Sequence, residues 1–128
     1  MPGLKLALAD GEFAVCRLPA GEPVPPWAGS ALFSSVTRTA DELSIICPAA
    51  ALPAGIQAEP GWRLLKVAGP LDFGAVGVLA SISAPLAQAG ISLLGVATFD
   101  TDYVLVKAER LDDARRALEA AGHTVHRN

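Results

Sequence analysis

The chain has 128 residues, 52% of them hydrophobic and 18% charged, with a net charge of -3. That balance suits one well-buried domain or two small ones sharing a core, and it excludes a disordered chain, which is poor in apolar groups and rich in charge. The 10 Lys and Arg residues form no run, so the basic stripe that tracks nucleic-acid phosphates is missing, and no charge-free apolar stretch approaches the length of a membrane span.

The opening residues, MPGLKLALADGEF, bring an acid by position 10 and lack the charged start and cleavage site of a secretory signal, so the cytoplasm is expected. Cys16 and Cys47 are too few for a disulfide framework and read as small buried hydrophobes in a reducing compartment. Residues 4–18 predict a hairpin: Leu4, Leu6 and Leu8 alternate with Lys5 and Ala7, Asp10-Gly11 is a turn signal, and Phe13, Val15 and Cys16 return. Residues 19–30 hold four prolines and exclude a long helix; Trp27 is expected to plug a small core.

Residues 31–47 and 91–107 read as two copies of one unit: strand, acidic turn, strand. The alignment places Val36 on Val96, a shift of 60 residues (96 − 36), with Ile45 on Leu105 and Ile46 on Val106. In the second copy Asp100, Thr101 and Asp102 form the turn, short polar residues that hydrogen-bond their own backbone. Residues 48–55 give at most a short helix. Residues 56–61, IQAEPG, mark the expected boundary between an N-terminal unit, 1–58, and a C-terminal unit, 59–128.

Beyond the boundary, residues 62–68 predict a strand that Gly69-Pro70 ends. In residues 71–90, Val76, Leu79, Ile82 or Ser83, and Leu86 recur at helical spacing, with Gly90 as the stop. Pro85 removes the bond to the Ser81 carbonyl and is expected to kink or shorten this helix. Residues 111–121 predict a second helix, with Asp112 and Asp113 at its start and Arg115 and Arg116 further along. A short strand, 123–127, follows. Strand, helix, strand, strand, helix, strand is the split βαβ, ferredoxin-like order, and the first half repeats its strands with the helices eroded to turns.

Two features offer chemistry. GPLDFGAVG, residues 69–77, links a strand to a helix whose first amides lack internal partners and suit a carboxylate or phosphate. Asp100 and Asp102 suit an ammonium group. Together they suit a zwitterion, although glycines are common in such links and acids are common at solvated hairpin tips. His123 and His126 are expected at the surface, facing opposite ways, with no metal between them. No nucleophile, base and acid converge.

SVTRTADELSIIC (35–47) together with GPLDFGAVGVLASISAPLAQAGISLLGVATFDTDYVLV (69–106) resembles the ACT domain, and within that family the small tandem ACT proteins, whose relatives include the aspartate kinase regulatory region and cytosolic arginine sensors. The resemblance covers roughly residues 32–125. It implies an α+β fold of two ferredoxin-like ACT units with antiparallel sheets, the first with reduced helices. It further implies a non-catalytic regulatory protein, free of cofactors, that binds an amino acid at an ACT–ACT interface. By position it points to Asp72, Phe73, Gly74, Ala75, Val76 and Gly77 from the helix-entry loop, Thr98, Phe99 and Asp102 from the hairpin, and Ser35 and Val36 from the first copy. At Ala75 the arginine sensors carry an acid, so this chain implies a smaller or neutral amino acid instead.

A homodimer is the expected assembly, because unpaired sheet edges tend to pair and two-fold symmetry closes. An interaction module that docks a protein and binds no small molecule is the alternative. RNA binding, through the similar order of RNA-recognition modules, is opposed by the acidic surroundings of Phe99 and Tyr103. Whether Arg38 enters a pocket or solvent is left open by the sequence.

Overall fold

The computed structural model describes residues 3–29 and 32–127. Ser30 and Ala31, where the proline-rich stretch meets the first copy of the repeat, lie outside the described residues, as do Met1, Pro2 and Asn128. The fold is α+β. Its strands are β1 (Lys5–Leu8), β2 (Phe13–Leu18), β3 (Ser35–Arg38), β4 (Leu43–Pro48), β5 (Gln57–Val67), β6 (Leu93–Ala97), β7 (Asp102–Lys107) and β8 (Thr124–Arg127); its helices are α1 (Val78–Gln88) and α2 (Leu111–Ala120). Short 3-10 turns cover Pro26–Ala28, Ala49–Ala51 and Ala108–Arg110. Among the described residues no helix is long and apolar enough to cross a membrane.

The chain divides into two compact units, residues 1–10 with 63–128, and residues 11–62. This differs from the expected cut after residue 58 in two places. β1 joins the C-terminal unit, antiparallel to β5 with Leu6 opposite Val67, and parallel to β8 with Leu6 opposite Val125. The strands foreseen in residues 4–18 therefore exist, but each pairs with β5 and their expected hairpin does not form. IQAEPG is also no link. Residues 57–62 are the first half of β5 and pair with β2, where Arg17 lies opposite Gln57 and Phe13 opposite Trp62. Pro60 and Gly61 (φ 86°) sit at a register shift between Phe13 and Val15, a bulge that tolerates a residue without an N–H.

In the C-terminal unit the strand order is β6-β7-β5-β1-β8, the ferredoxin-like arrangement with β1 inserted beside its edge strand. Alternate residues Leu6 and Leu8, Leu65 and Val67, and Val104 and Val106 share one face, as the period of two requires. Ile82 and Leu86 of α1 and Ala114 and Leu118 of α2 close that core. The buried stripe of α1 is Val78, Ile82 and Leu86. The expected stripe is off by part of a turn, because the helix begins only after Gly77: Val76 precedes it, 87% exposed, and Leu79 faces outward. Pro85 lies inside α1 without ending it. Arg110 donates to the carbonyls of Ala89 and Gly90, placing a cation at the C-terminal end of α1.

His123, expected at the surface, is buried (5% exposed) between Gly122 and β8, while His126 is exposed. Nδ1 of His123 accepts from the Leu4 N–H at 3.0 Å, and Nε2 lies 2.8 Å from the Ser81 carbonyl oxygen. Burial is tolerated because both ring nitrogens find partners.

In the N-terminal unit the order is β3-β4-β2-β5, around a core of Cys16, Ala28, Leu43, Ile45 and Cys47 against which Trp27 packs as foreseen. Both cysteines are free and buried. Arg38 donates to the Ala20 carbonyl at the surface. The hairpin β3–β4 pairs Arg38 with Leu43, and β6–β7 pairs Ala97 with Asp102. The two therefore correspond at a shift of 59 (97 − 38), one less than the sequence alignment gave.

Candidate functional site

The helix-entry loop starts with Asp72, whose Oδ1 accepts from the Gly74 N–H at 3.0 Å while its carbonyl accepts from the Ala75 N–H at 2.9 Å. This self-capped turn is not helical. Gly77, at φ 81°, then reverses the chain into α1. A left-handed residue at that point carries no side chain able to cap the helix, and no side-chain cap forms. The first internal bond of the helix runs from the Ser81 N–H to the Gly77 carbonyl at 2.9 Å. The N–H groups of Val78, Leu79 and Ala80 are consequently left without helical partners.

Opposite them stands the β6–β7 hairpin. Its tip is fixed by Thr98, whose N–H and Oγ1 both donate to the Thr101 carbonyl, at 2.9 and 2.8 Å. The Thr101 hydroxyl is buried and donates to the Val67 carbonyl at 2.7 Å. The Asp100 carbonyl accepts from the Leu71 N–H at 2.7 Å. Gly69 allows this closeness: a Cβ there would lie 3.0 Å from the Asp100 carbonyl oxygen and 3.1 Å from Thr101 Cβ.

Between loop, helix start and hairpin lies an open cleft of about 410 Å³. It is lined by Asp72, Phe73, Ala75 and Gly77 from the loop, by Val78, Leu79 and Ala80 from the first helical turn, and by Thr98, Phe99, Asp100, Thr101 and Asp102 from the hairpin. The rings of Phe73 and Phe99 meet edge to face, centroids 4.9 Å apart at 85°, though they are 74% and 80% exposed. The charged groups lining the cleft are three carboxylates, with no cationic side chain beside them.

Of the residues expected from the sequence, Asp72, Phe73, Ala75, Gly77, Thr98, Phe99 and Asp102 line this cleft. Gly74 and Val76 are in the same loop but outside its lining. Ser35 and Val36 lie on β3, in the other unit, and do not line it. Val78, Leu79 and Ala80 were not foreseen as site residues, because the sequence reading began the helix several residues early; the left-handed Gly77 was the available signal. Among the described residues no group of three or more His, Cys, Asp or Glu could hold a metal ion.

Residues 57–120, half of the chain, match the model of the ACT domain, and residues 11–55 match a second family model, that of an N-terminal domain. A protein from Agobacterium tumefaciens with a crystal structure is similar over the whole chain, with a TM-score of 0.94 and 38% identity, covering 100% of this chain and 96% of that one. The regulatory subunit of aspartate kinase from Thermus thermophilus shares the fold, with a TM-score of 0.59 at 15% identity over 91% of this chain and 96% of that one. In sequence, 59 residues are 36% identical to the Homo sapiens protein named cytosolic arginine sensor for mTORC1 subunit 1, covering 45% of this chain and 18% of the sensor. The matched stretch thus spans less than a fifth of that relative's length.

Proposed function

The chain belongs to the ACT-domain family, and we propose that it is a non-catalytic regulatory protein that binds a free amino acid in the cleft between α1 and the β6–β7 hairpin. One observation carries this reading. Three N–H groups without helical partners, at the start of an 11-residue helix, and the carboxylates of Asp100 and Asp102 line one cleft. The helix start attracts a carboxylate, through its free donors and the positive end of its dipole. The two acids attract an ammonium group. An α-amino acid presents both charges on one carbon.

The rest of the lining supports a neutral ligand side chain. Phe73, Phe99, Ala75, Leu79 and Ala97 offer apolar surface, and the cleft volume falls within the range of small-molecule sites. In this proposal an ACT–ACT interface closes the open side of the cleft, Ser35 and Val36 are contributed across such an interface, and the working form is a homodimer in the cytoplasm. The name of the human relative supports both the ligand class and the compartment.

A thermal-shift screen against the twenty amino acids at millimolar concentration tests the reading. A ligand present at 100 times its dissociation constant adds about 2.7 kcal/mol of stability. A shift with one or two amino acids, lost in Asp102→Ala, is the expected result. The exposure of Phe73, Val76 and Phe99 favours a second reading, a protein-docking module; failure of every amino acid, with one partner recovered by Phe99-dependent capture, would replace the first reading with it.

A further inference from the structure

Pro85 has no N–H, so the Ser81 carbonyl loses the donor that would normally bond it from four residues along. A buried carbonyl without a partner costs about 1–3 kcal/mol. The side chain of His123 stands at that oxygen, its Nε2 at 2.8 Å. The tautomer follows from the other nitrogen. Nδ1 faces the Leu4 N–H at 3.0 Å and must accept, so the ring proton resides on Nε2, which donates to Ser81.

Ser81 is also the residue that ties down the start of α1. Its N–H donates to the Gly77 carbonyl at 2.9 Å, and its hydroxyl donates to the Val78 carbonyl at 2.7 Å. Gly77 and Val78 both line the cleft. A continuous path of three hydrogen-bonded residues therefore runs from a buried imidazole to the helix entry. We infer that His123 is a positioning residue for the cleft: it supplies the donor that Pro85 lacks, and through Ser81 it holds the orientation of the first-turn amides. The inference rests on the reading of this cleft as the ligand site for its functional meaning, but not for its geometry.

The two ring nitrogens can be replaced separately. In His123→Gln the side-chain nitrogen falls near the place of Nε2 and keeps the Ser81 bond. In His123→Asn the side-chain oxygen falls near the place of Nδ1 and keeps only the Leu4 bond. Hydrogen exchange and amide resonances of the ligand-free protein read the difference. We expect the Ser81 amide to exchange about tenfold faster in His123→Asn, with the Gly77 and Val78 resonances displaced, and to stay within about twofold of the parent in His123→Gln. Adding Pro85→Ala, which restores a backbone donor to the Ser81 carbonyl, should return the Asn variant to parental exchange.

Equal exchange in the Gln and Asn variants overturns the inference, as does failure of Pro85→Ala to restore protection. Should His123→Asn not fold, recovery of folding by Pro85→Ala supports the inference and its absence overturns it. None of these outcomes bears on whether an amino acid binds, which the thermal-shift screen of the parent protein decides alone.

Discussion

The hydroxyl of Thr101 donates to the carbonyl of Val67 at 2.7 Å, joining the tip of the β6–β7 hairpin to the last residue of β5. The tip of the hairpin, which precedes the start of β7 at Asp102, is thereby held by this side chain together with the backbone bond from the Leu71 N–H to the Asp100 carbonyl. Thr101→Val keeps the shape and deletes the donor, leaving a buried carbonyl unpaired. Stability should fall by about 1–3 kcal/mol, measured by urea unfolding. An unchanged midpoint would show that the tip is held by backbone bonds alone.

Asp102 is half-buried and lines the cleft, and its backbone pairs with Ala97. Replacing it with Ala removes a carboxylate without removing a strand bond. The variant should unfold within about 0.5 kcal/mol of the parent, as surface replacements do, yet lose the amino-acid-induced thermal shift. Retention of the full shift would move the ammonium to another acid, with Asp100→Ala the next variant to measure.

Two glycines of the entry loop make opposite demands. Gly77 sits at φ 81°, a conformation that costs a residue with a Cβ about 1–2 kcal/mol. Gly77→Ala should therefore destabilise by that amount and weaken ligand binding by shifting the helix start. At Gly74 an added Cβ would meet only the Asp72 carboxyl group, at an ordinary 3.6 Å or more, and φ is not left-handed. Gly74→Ala should be close to neutral in a calorimetric scan, and equal losses at the two positions would contradict the account of this loop.

Burial, and next Cys47 beside it, push the Cys16 thiol up to about 11 from an ordinary 9.0. The folded protein thus keeps a proton that the unfolded chain gives up at lower pH. The resulting stability is complete below pH 9 and is lost as pH rises toward 11. Melting temperature should decline across that window, and less steeply in Cys16→Ala. At pH 8 a thiol reagent should modify Cys16 only on unfolding; rapid labelling of the native protein would contradict its burial.

Most elements were legible because their residues obey a local period. β7 and α2 declare themselves through dense β-branched residues and through the Asp and Arg placement of residues 112–116. What escaped was decided at a distance. The hairpins align at a shift of 59 because Thr39 and Thr98 close them with the same bonds, each N–H donating at 2.9 Å to the carbonyl three residues on, in Glu42 and Thr101. A shift of 60 pairs Val36 with Val96 but turns Ile45 onto Leu105, on the opposite face from the core that Val104 and Val106 share. In the candidate site, charged ends were readable from Gly77 and the acids. The burial of Thr101 and His123 was not, since each is fixed by a carbonyl that lies 34 or 42 residues away in sequence.

The placement of β1 has a consequence for how the C-terminal unit is assembled. Lys5–Leu8 is synthesised before both of its neighbours, β5 and β8, and the bond between Leu4 and His123 spans 119 residues. The sheet cannot zip from one end; it must wait for a late strand to trap an early one, a non-local order of events that slows folding. A fragment trimmed to residues 57–120 would never make that closure. It would present β5 with an uncovered edge, and a gain in self-association should accompany the loss of β1 and β8.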